Sequence, residues 1–465
     1  MESKDVLLIH PPGPPTLTTM HLPPLGLAYL ASSLEKNGVS VKIMDLNVEI
    51  GDEEKIKKII ATVNPKVVGI SVTSHSLPSA IKLASLVKST LNVPIVVGGP
   101  HINSDTTFIY RFKELFDYQV VGEGECVLVY LVKKIINNKK MNQKVFYASP
   151  VKDLDSLPFP AFHLLPLKRY IPFTAPLITS RGCPFRCAFC RPHTHYVRFR
   201  SVENVCEEIK FLSEKYNIKF IEFEDDNFTL NKHYVIKLFN EIRREKLDIT
   251  WSCQTRCDLV DSAILKKMKK AGCKLVVFGV ETFSERLRKE MGKNLPTNVV
   301  LRVVLQSKKI GVKVCINCLV GFPTETKKDL LLTLYYLKKL RPDFIFPSLL
   351  TPFPGTPVFT YLVRRGIIRE DIWDLYAKGK KALPVSVSEN FDPSFYIYFF
   401  VKLIRLSRIG ISMPQGLAIT HCMKAFPFFR HFIYRNKKFI RFICRALQSL
   451  SKLRYHSTFQ SKKTE

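Results

Sequence analysis

Short apolar runs and amphipathic stretches alternate along most of the chain. In residues 5–137 the runs are Val6–Ile9, Val39–Ile43, Val67–Val72, Val93–Val97 and Tyr118–Val121. Near-continuous Val/Ile runs, separated by helical stretches of about a dozen residues, predict a parallel sheet covered on both faces. That is a doubly wound, Rossmann-like α/β arrangement, whose ligands bind beyond the carboxyl ends of the strands. Those ends carry Pro11-Pro12-Gly13-Pro14, Ser71 and Thr73, Gly98-Gly99-Pro100-His101 and Gly122-Glu123-Gly124-Glu125. Glycine at such places lets a bulky ligand approach the backbone.

The alternation resumes at residue 174. Strands are predicted at Leu177–Ser180, Phe220–Phe223, Ile249–Ser252, Leu275–Phe278, Val312–Ile316 and Phe344–Phe346, with helices over 202–216, 231–245, 261–271, 297–309 and 325–340. About six β/α units fit a partial or full parallel barrel with its chemistry at the carboxyl ends of the strands. Residues 139–172 read as a linker: Lys139-Lys140 is followed by prolines at 158, 160 and 166, which restrict the chain to extended conformations.

A length of 465 residues allows two to three domains, and 46% hydrophobic with 24% charged residues is a globular composition. The net charge of +31 calls for an anionic partner or surface. Met1–Asp5 leads straight into the first strand, without a signal-like apolar region. The longest uncharged stretch, 344–363, is broken by Pro347, Pro352, Pro354 and Pro357, so no transmembrane helix is expected. Twelve cysteines without a secretion signal point to metal ligation in a reducing, cytoplasmic setting and to oxygen sensitivity.

The strongest chemical signal is Arg181-Gly182-Cys183-Pro184-Phe185-Arg186-Cys187-Ala188-Phe189-Cys190. Its C-x3-C-x2-C spacing supplies three thiolates, one fewer than a closed metal site needs, and so leaves a metal position open. A zinc knuckle with His193 as fourth ligand is the alternative from ligand chemistry alone. The loop resembles the cluster loop of the radical S-adenosylmethionine (SAM) enzymes. Membership implies a 4Fe–4S cluster held by Cys183, Cys187 and Cys190, whose fourth iron chelates SAM. It also implies reductive cleavage of SAM to methionine and a 5′-deoxyadenosyl radical, with an electron donor such as a flavodoxin or ferredoxin.

The strand ends that follow are similar to that family's SAM-binding segments. Glu224-Asp225-Asp226-Asn227-Phe228 gives Asp225, with Asp226 next to it, the role of receiving the SAM amino group. Arg256 is placed at the methionine carboxylate, Glu281 near the ribose, Gly321 on the adenine side, where Thr324 is equally read as a helix cap, and Phe189 beside the cluster. The order of the front loops, and a first helix opening Pro23-Pro24-Leu25-Gly26, resemble the cobalamin-binding domain that precedes the radical SAM domain in a large group of these enzymes. The resemblance divides the chain into 1–138 (cobalamin-binding-like), 139–172 (linker), 173–360 (radical SAM barrel) and 361–465 (basic C-terminal region). It suggests Ser71, Thr73, Gly98, Gly99 and Gly122 as cobalamin contacts. The Asp-x-His-x-x-Gly motif that supplies a cobalt-ligating histidine is absent from the sequence, and neither His10, His75 nor His101 has that context. Cobalamin bound without a histidine ligand is therefore expected, with a domain that has lost the cofactor as the other reading.

The expected function is radical C–H functionalisation of a small, lipid-like molecule, with cobalamin-dependent methyl transfer as the main reading. A cobalamin-independent cyclase or oxidoreductase, and a non-catalytic iron–sulfur or cobalamin sensor, are the alternatives. A methylthiotransferase fits less well, because the front domain has only Cys126 and so no second three-cysteine cluster. Cys315 and Cys318 lie three apart on a strand and point to opposite faces, and with Cys253 and Cys257 they are read as core. Cys126, Cys206, Cys273, Cys422 and Cys444 are read as structural. After Asp392 no acid appears before Glu465, while Lys and Arg alternate with aromatic and aliphatic residues. Such a tail suits a helix lying on an anionic membrane surface, or a helical cap on the barrel. Nucleic acid is the third reading, and no recognised nucleic-acid module accompanies it.

Overall fold

The computed structural model describes residues 3–13, 21–49, 51–191 and 194–381, with isolated positions between 384 and 406. The first sheet runs through β1 (Val6–His10), β2 (Val41–Asp45), β3 (Val67–Ser71), β4 (Ile95–Gly98), β5 (Tyr118–Val121) and β6 (Val145–Tyr147). All pairings are parallel and the strand order is β2-β1-β3-β4-β5-β6. Helices α1 (Leu25–Lys36), α2 (Glu53–Val63), α3 (Leu77–Thr90), α4 (Pro100–Ser104), α5 (Phe108–Arg111) and α6 (Gly124–Ile136) connect the strands. The alternation of side chains in β1 is explicit. Val6 and Leu8 join the apolar cluster that holds α1 and α6, while Leu7 and Ile9 join the one that holds α3. The order reverses at β1, so a crevice opens beyond the carboxyl ends of β1 and β3. One difference from the sequence reading lies in the stretch assigned to the linker. It begins with β6, whose Val-Phe-Tyr run is too short to stand out but pairs with Gln119–Val121.

The second sheet has the order β14-β13-β12-β11-β10-β7, again parallel throughout. Its strands are β7 (Thr174–Leu177), β10 (Phe220–Phe223), β11 (Thr250–Thr255), β12 (Cys273–Glu281), β13 (Lys313–Val320) and β14 (Phe344–Leu349). The first and last are not paired, which makes it a partial barrel. A two-stranded hairpin, β8 (Ser180–Arg181) with β9 (Arg198–Phe199), brackets the cysteine loop. The outer layer is α7 (Val202–Tyr216), α8 (Lys232–Arg244), α9 (Ser262–Lys270), α10 (Glu285–Glu290), α11 (Thr297–Ile310) and α12 (Lys327–Leu340). Local chemistry sets these ends. Ser201 caps α7 by accepting from Asn204 N, Asn217 closes it in the left-handed region, and Thr326 with Asp329 forms a capping box on α12. The α12 cap is thus Thr326 and not Thr324, whose hydroxyl donates to Glu290. Two further helices, α13 (Pro357–Arg364) and α14 (Ile372–Ala377), return to the first domain. There Trp373 lies against His101, Tyr376 Oη donates to His75 O at 2.8 Å, and Arg111 pairs with Asp374.

Cys315 packs with Leu275 and Phe344, whereas Cys318 joins the main barrel core, so the two do point to opposite faces. Cys206, Cys253, Cys257 and Cys273 are buried in the same core, but Cys126 is exposed on α6. Cys422 and Cys444 lie outside the described residues. In the tail, Phe399, Leu403 and Leu406 are helical; Phe399 and Leu403 are buried in the core and Leu406 packs against it. Among the described residues no helix is long and apolar enough to cross a membrane.

Candidate functional site

Gly182 opens the cysteine loop at φ +102°, and a Cβ there would stand 2.4 Å from Tyr196 O. The loop closes so tightly on itself, with Cys183 N donating to Thr194 O at 2.9 Å, that only glycine fits. Cys190 N donates to Cys187 O at 3.0 Å, closing a turn between the last two cysteines. Ala188 is held from both sides: its N–H donates to Met291 O (2.8 Å) and its carbonyl accepts from Val358 N (3.1 Å). The next residue, Phe189, packs against the apolar cluster that contains Met291 and Val358. The loop's shape therefore rests on backbone contacts and leaves the three thiols available as ligands.

The surroundings of the thiols are polar and charged. Asn227 Nδ2 donates to Cys183 Sγ at 3.2 Å. Burial pushes the Cys183 thiol up, as do the neighbouring Asp226 and Cys187. Burial also pushes Cys187 up, against the opposing pull of Lys293 and Arg256. Bare, the triad resists ionisation, and positive charge from bound metal supplies what thiolates require. Among the described residues no three His, Cys, Asp or Glu side chains converge on a single-ion position. A 4Fe–4S cluster takes its thiolates on separate irons, so this donor set fits it without such convergence. His193, the fourth ligand of the zinc alternative, lies outside the described residues.

The carboxylates after β10 divide their roles differently from the sequence reading. Asp225 is fully buried and spent: it accepts from Thr179 N (3.0 Å), Thr179 Oγ1 (2.7 Å) and Ser180 Oγ (2.5 Å). It holds the start of the β8 hairpin, which is also why β7 ends at Leu177 instead of running on to Ser180. Glu224 and Asp226 are the two that line a cavity. Burial, with Asp225 beside it, pushes Glu224 up to about 7, and the same causes raise Asp226.

Arg256 stacks over the Phe185 ring at 4.0 Å, but its fork is engaged by Asp258 at 2.9 and 2.8 Å. The carboxylate it grips in this structure is the chain's own. Glu281 has φ +68°, uncommon for a side chain of this size, and pairs with buried Lys293 at 2.8 Å. Gly321 has φ +97°, and its N–H donates to Glu325 Oε2 at 2.8 Å. Burial pushes Glu325 up to about 8.

The cavity, of about 360 Å³, lies between the two sheets. Ser71, Gly98, Gly99 and Gly122 line it from the first domain, and Ser180, Arg181 and Gly182 from the hairpin. It thus joins the switch-point crevice to the foot of the cysteine loop. Thr73 is not in the lining; its hydroxyl caps the turn at Ser74–Ser76. Apolar Leu25, Leu30 and Val120 and the bare backbone of Gly26 complete a wall suited to a large flat ligand. A Cβ on Gly26 would meet nothing within 4 Å. Among the described residues no histidine lines the cavity. His10 is turned to Asp45 (3.0 Å) and His101 to Ser74 (2.9 Å).

The sequence reading missed the network that joins the two halves. Glu123, from the loop after β5, takes Arg198 of β9 at 3.0 and 2.5 Å and Arg181 at 3.4 Å. Arg181 also pairs with Glu125 at 2.7 Å and lies 5.2 Å from the Tyr29 ring. The Gly-Glu-Gly-Glu motif was legible as a strand-end loop, but nothing local pairs its acids with arginines so far along the chain.

Glu222, one turn of pleat before this group, is buried against Ser252, and burial with Glu224 nearby pushes it up to about 8. A carboxyl raised in the folded state contributes stability that is complete below its unfolded value of 4.5 and is lost as pH rises through about 8. Glu222→Gln removes that dependence. Its unfolding free energy relative to wild type is expected to rise between about pH 5 and pH 8, by about 1.4 kcal/mol per pH unit at most, and its thermal midpoint with it. Parallel midpoints across that range would contradict the assignment.

Residues 177–337 match the radical SAM superfamily and residues 18–132 match the B12-binding domain. The chain is 34% identical over 400 residues to an uncharacterized methyltransferase, PH0819, of Pyrococcus horikoshii, covering 81% of this chain and 87% of that one. It is 26% identical over 372 residues to the anaerobic magnesium-protoporphyrin IX monomethyl ester cyclase of Rubrivivax gelatinosus, covering 73% and 66%. In fold it is similar to the radical SAM methyltransferase TsrM of Kitasatospora setae, solved with cobalamin and a [4Fe-4S] cluster. That likeness has a TM-score of 0.73 at 16% identity, over 96% of this chain and all of that one.

Proposed function

The chain belongs to the radical SAM superfamily, in the group that carries a B12-binding domain, and on that premise we propose that it methylates an unactivated carbon of a small, apolar molecule. It is an enzyme that uses a 4Fe–4S cluster, SAM and cobalamin. When bound, these groups supply reductive cleavage of the sulfonium and a transferable methyl group. The chain's own residues bind, orient and exclude water. Cys183, Cys187 and Cys190 hold the cluster. Asp226, Glu224 and Glu281 offer acceptors for the cationic and hydroxyl groups of SAM, and Lys293 places positive charge beside Cys187. Ser71, Gly98, Gly99, Gly122 and Gly26 form the cobalamin wall.

The observation that carries this reading is the shared cavity: the switch-point crevice and the foot of the cysteine loop open into one space. Its apolar wall favours a lipid-like or ring-shaped substrate, and an external donor of the flavodoxin or ferredoxin type supplies the electron. The basic tail adds affinity for an anionic membrane surface. A cyclase is the second reading, favoured by the relative named for acting on a porphyrin ester. Anaerobic reconstitution with iron, sulfide and cobalamin separates the two. Methyl transfer yields S-adenosylhomocysteine together with 5′-deoxyadenosine. Deoxyadenosine alone, from protein that holds cobalamin and turns over, would favour the cyclase, and neither product would defeat both.

A further inference from the structure

Three neighbouring helices on the outside of the barrel, α9, α11 and α12, carry no exposed carboxylate between their first and last residues; Asp261, the exposed N-cap of α9, pairs with Lys232. On α9 the exposed cations are Lys266, Lys267, Lys269 and Lys270; on α11 they are Arg302, Lys308 and Lys309. Helix α12 adds Lys327, Lys328, Lys338 and Lys339. The one acid within these helices, Asp329, is buried in its capping box and paired with Arg286. By contrast α7 and α8 mix both signs, with pairs such as Lys237–Glu203 and Arg244–Glu241. The turns at the same end of the barrel hold Asp248 and Asp343 against Lys246, Lys274, Lys313 and Arg341.

Large apolar groups stand among these cations. Leu305 is 56% exposed, Leu331 54% and Tyr335 57%. Lys308 and Lys309 lie one turn beyond Leu305, and Lys338 and Lys339 one turn beyond Tyr335. Each helix of a βα unit ends where its next strand begins, so these lysines gather at the amino-terminal end of the barrel, opposite the cysteine loop.

We propose that this face of the barrel docks on an anionic lipid bilayer. Charge complementarity selects the occupant. The tail beyond Asp392 carries fourteen Lys and Arg before its single terminal acid, and a second copy presents the same sign, so both are repelled from the face. Ten of the eleven cations on the three helices are lysine. Lysine is a point charge suited to a diffuse field of headgroups, while bidentate reading of individual phosphates favours arginine. The exposed leucines and tyrosine enter the headgroup layer, which a nucleic-acid backbone does not offer. Docking in this way leaves the catalytic end of the barrel pointing away from the bilayer.

The test uses the full chain in flotation with vesicles of phosphatidylcholine alone or with roughly one-third phosphatidylglycerol. Binding to the anionic vesicles only, weakening as salt shortens the screening length, is expected. Lys269 and Lys308 donate to backbone carbonyls, so the variant spares them. K270Q/K309Q/K338Q/K339Q is expected to lower partitioning at least about tenfold at an unchanged thermal midpoint. In a second variant, Tyr335→Trp, the added indole emission is expected to shift to the blue on anionic vesicles, which reports this face and not the tail. Undiminished binding of the quadruple variant, no spectral shift, equal binding to neutral vesicles, or preferential capture of duplex or single-stranded RNA would each overturn the proposal.

Discussion

Replacing Cys183, Cys187 and Cys190 with alanine is expected to remove the cluster and all SAM cleavage while leaving the fold in place. The loop is held by Cys183 N to Thr194 O, Ala188 N to Met291 O and Val358 N to Ala188 O, none of which involves a thiol. The three cysteines are half-buried or exposed, so truncation leaves no core cavity. Iron analysis and deoxyadenosine formation should both fall to background, with the apo-protein's thermal midpoint within a few degrees of wild-type apo-protein. Cys253→Ala and Cys318→Ala should behave in the opposite way. Both residues are fully buried, so each substitution should cost about 1–2 kcal/mol in stability while iron content stays intact. Loss of iron from these core variants, with retention in the triple variant, would reverse the assignment of ligands.

Glu123→Ala is expected to cost about 3–5 kcal/mol, the largest stability loss of any single substitution considered. Its carboxylate is nearly inaccessible, faces Arg198 in a forked contact and also accepts from Val151 N at 2.7 Å. Removing it leaves the buried Arg198 guanidinium uncompensated, and breaking a buried pair costs far more than the pair itself contributes. Because Glu123 and Arg198 come from different domains, the loss should appear as separation of the two unfolding transitions. Converting the pair together, Glu123→Leu with Arg198→Met, should recover most of it. Equal destabilisation of the single and double variants would show that the pair's charge is not what joins the halves.

The parts of this fold that were legible are those governed by local periodicity. Val6 and Leu8 against Leu7 and Ile9 announce a strand buried on both faces, and Ser201 or Asn217 announce helix ends within a residue or so. The Cys183–Cys190 spacing carried its chemistry openly, because the ligands lie in one loop. What stayed hidden depends on partners distant in sequence. Asp225 reads as a free acid until Thr179, 46 residues earlier, is folded against it. Glu123 reads as a loop residue until Arg198, 75 residues later, arrives. The Arg256–Asp258 pair stayed hidden because Asp258 lies only two residues on and bends back through a short turn that no periodicity marks. The capping role of Thr73 stayed hidden because strand-end hydroxyls serve ligands and helix caps alike. The short β6 falls below any pattern, since three residues between lysine-rich and proline-rich stretches show no alternation.

The central claim is that one compartment serves both the cluster and cobalamin, and the ratio of cobalt to iron in anaerobically reconstituted protein tests it most directly. Wild type should hold about one cobalt for every four irons. Gly26→Trp, which fills open space in the cavity wall from the first turn of α1, should keep its iron and lose its cobalt. Cobalt retained at the wild-type ratio in that variant, or no cobalt in the wild type, would contradict the account.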